Sequence, residues 1–348
     1  MFKFFKEWYN THLTDPNQVA LALIILSISI ITYVLLATVV PILVAIVLSY
    51  MLEGLVGTIG KKYQLNRNTI VMIVYFSFIA LSLLILFLLA PLMLEQITLF
   101  IKSLPSMLEK GKILFKGYSS QHSDLITNIF ASINTEISLI GKSVISYSLS
   151  SASSILETIV YILIVPILIF FLLYDKFKIN SWFKKFFPEK LDLSKQAYKE
   201  LDIKIGNYIR CKFIEIIIVW VASTLLFSLL GLNYALLLGF LCGVSVIIPY
   251  VGAIVVTIPI IFVAFFQWGT SSIFWYVLII HILIQVIDGN VIVPILFSDA
   301  VNLHPIAILI SILFFGTIWG LWGVFFAIPL AVLFNTLLNI WPRIEIKT

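Results

Sequence analysis

Long apolar runs dominate this chain, and they leave it few ways to fold. A helix needs about 20 mostly apolar residues to cross the hydrocarbon of a bilayer. Six stretches approach or exceed that length: Val19–Val40, Pro41–Ile59, Thr69–Leu94, Ser154–Tyr174, Phe213–Leu230 and Ser272–Phe297. The composition agrees, with 61% hydrophobic and 11% charged residues among 348, where a soluble domain carries about 25% charged. A chain with mean hydropathy +1.12 cannot cover itself with polar surface. Soluble-enzyme and nucleic-acid-binding classes are therefore excluded despite the net charge of +5. The first run begins after a mixed polar stretch and is too long for a signal h-region, so it reads as a retained span. Only the Val40-Pro41 step separates the first two runs, giving a tight helical pair or one kinked unit, and Pro91 and Pro166 sit inside later spans.

Two further apolar stretches, Asn233–Gln267 and Pro305–Trp341, are each about 35 residues, too long for one span. The first is interrupted by Ile248-Pro249-Tyr250-Val251-Gly252 and the second by Gly316, Gly320 and Gly323, with Pro329 beyond. Each reads as a broken, tilted helix or as a re-entrant pair of half-helices. Each follows one ordinary span, and paired interrupted segments of this kind point to a transporter binding site. The expected fold is an all-α polytopic membrane protein. It has about eight transmembrane segments, two of them long and broken or re-entrant, plus an extramembrane helical hairpin.

Basic residues set the orientation, because Lys and Arg collect in cytoplasmic loops. Lys3 and Lys6 precede the first span, Lys61, Lys62 and Arg67 follow the second, and nine Lys or Arg lie between Lys176 and Arg210. Arg343 and Lys347 place the C-terminus on the same, cytoplasmic side. The chain then divides into residues 1–94 (a stub and three spans), 95–153 (an outer hairpin), 154–175 (the fourth span), 176–210 (an inner amphipathic segment) and 211–348 (a core with the two broken segments). Leu94, Ile97, Ile101, Leu104 and Leu108, and again Ile126, Phe130, Ile133, Ile137, Ile140 and Val144, recur at steps of three and four. Such seams pack two helices together, or meet a second subunit. In the inner segment Phe177, Trp182, Phe183 and Phe186 interleave with lysines, the pattern of a helix lying on an anionic leaflet.

Ionisable groups inside a bilayer are expensive and mark function. His281, Gln285 and Asp288 sit at i, i+4 and i+7 on one helix face, and Asp288-Gly289-Asn290 with Pro294 weakens the helix just beyond. Asp288 is the natural carrier of a proton or cation, His281 titrates near neutrality when unperturbed, and Gln285 can bridge them. The alternative for His281 and Gln285 is hydrogen bonding that merely holds neighbouring helices. Glu215 with Arg210 forms a candidate second ion pair, and Asp299, His304 and Pro305 form a gate or a helix cap. Cys211 and Cys242 show no metal spacing and no inferable disulfide. G-x-S-x-G, H-E-x-x-H, G-x-x-x-x-G-K-[ST] and C-x-x-C are all missing, which argues against an enzyme and gives no cofactor.

Several of these residues also carry a family resemblance. Ile248-Pro249-Tyr250-Val251-Gly252, Asp288-Gly289-Asn290 with Pro294, Asn302-Leu303-His304-Pro305 and the glycine-rich run ending Phe326-Ala327-Ile328-Pro329-Leu330 resemble the autoinducer-2 exporter family. Gly231-Leu232-Asn233-Tyr234 and Phe266-Gln267-Trp268-Gly269 are most similar to its PerM branch. The resemblance implies an eight-helix-type, oligomeric inner-membrane permease, with some relatives described as exporters of autoinducer-2 and others as sodium or lithium/proton antiporters.

The expectation is an ion-coupled secondary transporter in the bacterial inner membrane, moving a small polar solute between the two breaks. Asp288, His281, Gln285 and Asn290 would couple it to protons or sodium, and Pro249, Tyr250, Gly252, Gly289, Pro294, Gly316, Gly320 and Gly323 would shape the helix breaks. The alternatives are a sodium or lithium/proton antiporter, a membrane scaffold that recruits partners, and a channel. Expected partners are membrane lipids, the solute or ion, and further copies of the chain, with no nucleic acid.

Overall fold

The computed structural model describes residues 36–118, 152–184, 192–297 and 303–340. Every regular element among them is helical. In chain order they are α1 (Leu36–Lys62), α2 (Arg67–Tyr118), α3 (Ala152–Tyr174), α4 (Lys176–Lys184), α5 (Asp192–Leu229), α6 (Ala235–Ser245), α7 (Val251–Trp268), α8 (Ser272–Ile287), a π-helical turn at Asp288–Ile292, α9 (Val293–Phe297) and α10 (Pro305–Ile340). Five helical stretches are long and apolar enough to cross a membrane: Val40–Lys62, Arg67–Gly111, Asp202–Leu229, Val251–Trp268 and Ser272–Phe297. Their outer faces stay apolar, with Phe87 73% and Ile258 66% exposed. Side chains of that kind are solvated by lipid rather than water. The protein is an all-helical polytopic membrane protein.

Three stretches of helix bear on the sequence expectation. Pro41 lies inside α1, so the chain is one helix through the Val40-Pro41 step, whereas most of the expected span Val19–Val40 lies outside the described residues. The third span continues without interruption to Tyr118 as the first arm of the expected hairpin. Its second arm lies outside the described residues. The inner amphipathic segment divides: α4 is separate, but residues 192–210 belong to the same continuous helix as the fifth span.

The chain forms two compact units. Among the described residues, the first holds 36–75, 161–184, 192–211, 297 and 303–340, and the second holds 76–118, 152–160 and 212–296. In the first unit the ends of α1, α2 and α3 are tied by Arg67. It donates to both carboxylate oxygens of Glu53 at 2.9 and 2.8 Å and to the Leu173 carbonyl at 2.9 Å, while its guanidinium covers the Phe177 ring at 4.9 Å. Lys176 adds a 3.3 Å contact to Glu53, and Tyr50 donates to Asp202 at 2.6 Å. One guanidinium nitrogen, Nη2, serves both carboxylate oxygens while Nη1 reaches the Leu173 carbonyl, a spread of donors that Arg provides and the single nitrogen of Lys does not.

The second long segment, α10, folds sharply at Gly320 (φ 59°, ψ −137°). A Cβ on Gly323 would strike the Phe315 carbonyl, and one on Gly316 would lie 2.9 Å from Val324. Residues eight apart in a straight helix are about 12 Å apart, so the two halves turn back against each other. Gly320 alone makes the backbone break, while Gly316 and Gly323 remain helical and make room.

In the second unit α6 and α7 form the corresponding hairpin. The Ser245 carbonyl packs directly on the Cα of Gly252 at the tip. At the open end Gln267 receives the Asn233 N–H at 2.8 Å and donates to the Gly231 carbonyl at 2.8 Å. Both ends of the hairpin are therefore fixed. Gly239 and Gly243 let α6 approach the backbone of α5 at Thr224 and Ile216. Phe227, Leu238, Cys242, Ile260, Val263 and Val277 fill the core around it.

Candidate functional site

The break between α6 and α7 carries a strained backbone. Val251 N–H bonds the Pro249 carbonyl at 2.7 Å across Tyr250, which holds φ 63° and ψ −52°. That is a positive-φ γ-turn, rare and strained for a residue with a side chain. The Tyr250 side chain is 63% exposed, so packing does not account for its conformation.

One helix away, Lys212 and Glu215 share a face of α5, and both are buried. Their charged atoms meet at 2.6 Å. Lys212 also donates to the Val246 carbonyl at 2.9 Å, which fastens the turn between α6 and α7 to the ion pair. The Asp288 carboxylate interacts electrostatically with both Lys212 and Glu215. Asp288 is 92% buried on its 8% exposure, and its Oδ1 accepts no hydrogen bond among the described residues. Two buried carboxylates are thus grouped with one buried ammonium. Glu215 pairs with Lys212 here, while Arg210 donates to Asn207, so the expected Glu215–Arg210 pair is not the one formed.

Asp288 opens the π-helical turn. Its carbonyl accepts the Val293 N–H five residues on, and Asn290 donates its amide to the Val286 carbonyl at 2.9 Å. Gly289 and Pro294 weaken the α ladder at this point, and π turns concentrate at functional sites. Asn290 is engaged with its own helix rather than with the charged group.

His281 sits about two turns earlier and is 1% exposed. Thr257 Oγ1 gives its proton to the Ala253 carbonyl at 2.7 Å, so it accepts from His281 Nε2 at 2.8 Å. That assigns the Nε2–H tautomer and leaves Nδ1 to face Cys242 Sγ at 4.0 Å. Both ring nitrogens are thereby used in joining α8 to α6 and α7. Gln285 lies on the same face, with its Nε2 buried and unpartnered among the described residues.

At the start of α10, His304 Nδ1 accepts the Ile306 N–H at 3.2 Å and its carbonyl accepts that of Ala307 at 2.8 Å. His304 therefore caps the helix, with Pro305 in the first position that tolerates proline. Asp299 lies outside the described residues. No group of three His, Cys, Asp or Glu suited to a metal occurs among the described residues.

Sequence reasoning missed the burial of Lys212. Its only signal was an opposite charge three residues on, at the edge of an apolar run. Thr257 and Cys242 gave none, because their role depends on which helix faces His281.

A profile of the AI-2E family transporter matches residues 20–343. The chain is 39% identical to "Putative permease PerM" of Escherichia coli strain K12 over 347 residues, 98% of each chain. It is 26% identical to "Putative transport protein YueF" of Bacillus subtilis over 320 residues, 88% of this chain and 85% of that one. A second B. subtilis relative, "Putative transport protein YrrI", is 24% identical over 298 residues, 83% and 82% of the two chains. Two hairpins made from interrupted apolar segments, a buried charge cluster beside one of them, and these likenesses agree: the chain is a multi-pass membrane protein that belongs to the AI-2E transporter family.

Proposed function

We propose that the chain is an ion-coupled secondary transporter of the bacterial inner membrane, that it moves a small polar solute, and that Asp288 carries the coupling proton or cation. The supporting observation is the unpartnered, buried Oδ1 of Asp288 beside the Lys212–Glu215 pair. A carboxylate at depth is costly unless it works, and a group of two carboxylates and one ammonium has room for one positive charge. Binding there is relayed through Lys212 to the Val246 carbonyl, and so to the strained turn at Tyr250. The charge state of the cluster thereby biases the hairpin, which is what coupling requires. His281 is assigned to holding the helices together, with Gln285 beside it.

Both termini face the cytoplasm in this reading, and α4 lies on the inner leaflet. Its Phe177 and Trp182 are exposed, and the hydrogen bond that Lys178 donates to the Asp175 carboxylate holds its pKa above the usual range. Membrane lipids and further copies of the chain are its partners. The test is proton movement in proteoliposomes after imposing sodium, lithium or potential gradients. Wild-type movement that Asp288→Asn abolishes supports the reading, and equal behaviour of the two proteins overturns it.

Sodium or lithium/proton antiport is the second reading. Pro294 has no N–H, so it frees a backbone carbonyl on the turn that begins at Asp288. A carbonyl and a carboxylate together form a ligand set for a small monovalent cation.

A further inference from the structure

A recess of about 550 Å³ opens between α2 and the start of α6, within the second unit. It is lined by Gln96, Leu99, Lys102, Ser103, Asn233 and Tyr234. Gln96 and Lys102 lie past the end of the apolar run Thr69–Leu94, which at 1.5 Å per residue is long enough to cross a bilayer. The hydrocarbon core is about 30 Å thick, so the recess lies at or beyond its polar edge, where water and headgroups reach it.

Hydrogen-bond direction decides what this recess would hold. Gln96 Oε1 accepts the Leu237 N–H at 3.0 Å, which leaves the amide NH2 as the open end of that side chain. Ser103 Oγ gives its proton to the Phe100 carbonyl at 2.8 Å and accepts the Tyr234 hydroxyl at 3.0 Å, so both hydroxyl protons are spent internally. Lys102 contributes a full positive charge, and among the described residues no carboxylate lines the recess to neutralise it. What remains for a visitor is the Lys102 ammonium, the Gln96 NH2 and the Asn233 amide, which can present its NH2 to a negative group.

The frame is fixed as well. Tyr234 holds a left-handed conformation (φ 59°) with its ring edge-on to Phe100 at 5.3 Å, and Gln267 pins the backbone of Asn233. The first turn of α6 adds the positive end of its dipole. Donors of one sign on a preset frame select an acceptor-rich, negatively charged group.

We propose that this recess is an oxyanion site, holding a single carboxylate or phosphate group. A soluble solute or an anionic lipid headgroup would supply that group. The site does not use Asp288, so it stands whether or not the coupling reading does.

The test uses the full-length protein in detergent. Calorimetric titration with inorganic phosphate and with acetate probes a soluble source, and native mass spectrometry with phosphatidylglycerol against phosphatidylcholine probes a lipid source. At least one anionic probe should bind wild type and Asp288→Asn alike. Lys102→Gln and Gln96→Glu should each weaken it tenfold or more, the latter keeping the oxygen that accepts the Leu237 N–H while replacing donors by a negative charge. Phosphatidylglycerol binding alone assigns the headgroup, and phosphate or acetate binding alone assigns a soluble solute. Failure of every probe to bind wild type, or unchanged binding in both variants with unchanged thermal midpoints, overturns the proposal.

Discussion

Lys212 and Glu215 lie three residues apart on α5 and close an ion pair of 2.6 Å between buried side chains. Because Lys212 also holds the Val246 carbonyl, this pair is the link between the charge cluster and the α6–α7 turn. Buried pairs are weak evidence of net stability, but removing one partner strands the other charge. Lys212→Met should therefore destabilise the protein by about 3–5 kcal/mol. Lys212→Met combined with Glu215→Leu should recover most of that loss, as read by thermal unfolding in detergent. Additive losses in the double variant would mean that the pair is not coupled.

The hairpin tips depend on the absence of two side chains. Gly252→Ala and Gly323→Ala each press a Cβ onto a backbone carbonyl, of Ser245 and Phe315 respectively, which cannot rotate away. Each should cost about 1–3 kcal/mol, the usual range for overpacking. Gly57→Ala is the control, since nothing lies within 4 Å of its Cβ position, and it should be neutral or mildly stabilising. Midpoints that rank the three variants otherwise would contradict the packing.

Tyr250 holds a conformation that favours glycine. Tyr250→Gly should raise the thermal midpoint by relieving about 1–3 kcal/mol of strain. If that strain is part of the cycle, the same variant should slow proton movement in proteoliposomes. A lower midpoint would show that the tyrosine ring contributes more than its backbone costs.

His281→Gln separates a structural histidine from a coupling one. Its amide can still donate toward Thr257, so the variant should unfold earlier by about 0.5–1.5 kcal/mol. The pH profile of proton movement should keep its wild-type shape, because the proposed function gives the coupling proton or cation to Asp288 and not to His281. A displaced profile would return His281 to the coupling group.

Much of this was legible in the sequence, and the reasons are specific. Apolar runs long enough to span gave the membrane helices, and Ile248–Gly252 marked the first break within about two residues, because proline and glycine act locally. The Trp-Gly step recurs at Trp268-Gly269 and Trp319-Gly320, and both glycines adopt nearly the same angles, φ 62° and ψ −138° against φ 59° and ψ −137°. Sequence alone shows such a step but not that it turns the chain. Asp288 stood out because a carboxylate is rare in an apolar run. Its neighbours did not, since Lys212 resembled the end of a basic loop until α5 proved to carry it into the core. The oxyanion recess joins residues about 130 positions apart, Ser103 and Tyr234, a relationship no local pattern carries.

The most direct test of the central claim is the rate of proton movement in proteoliposomes holding equal amounts of wild type and Asp288→Asn, after the same imposed sodium, lithium or potential gradient. One uncompensated buried carboxylate as the coupling group predicts at least a tenfold loss in the variant, with insertion and thermal midpoint preserved. Equal rates in the two proteins would contradict it.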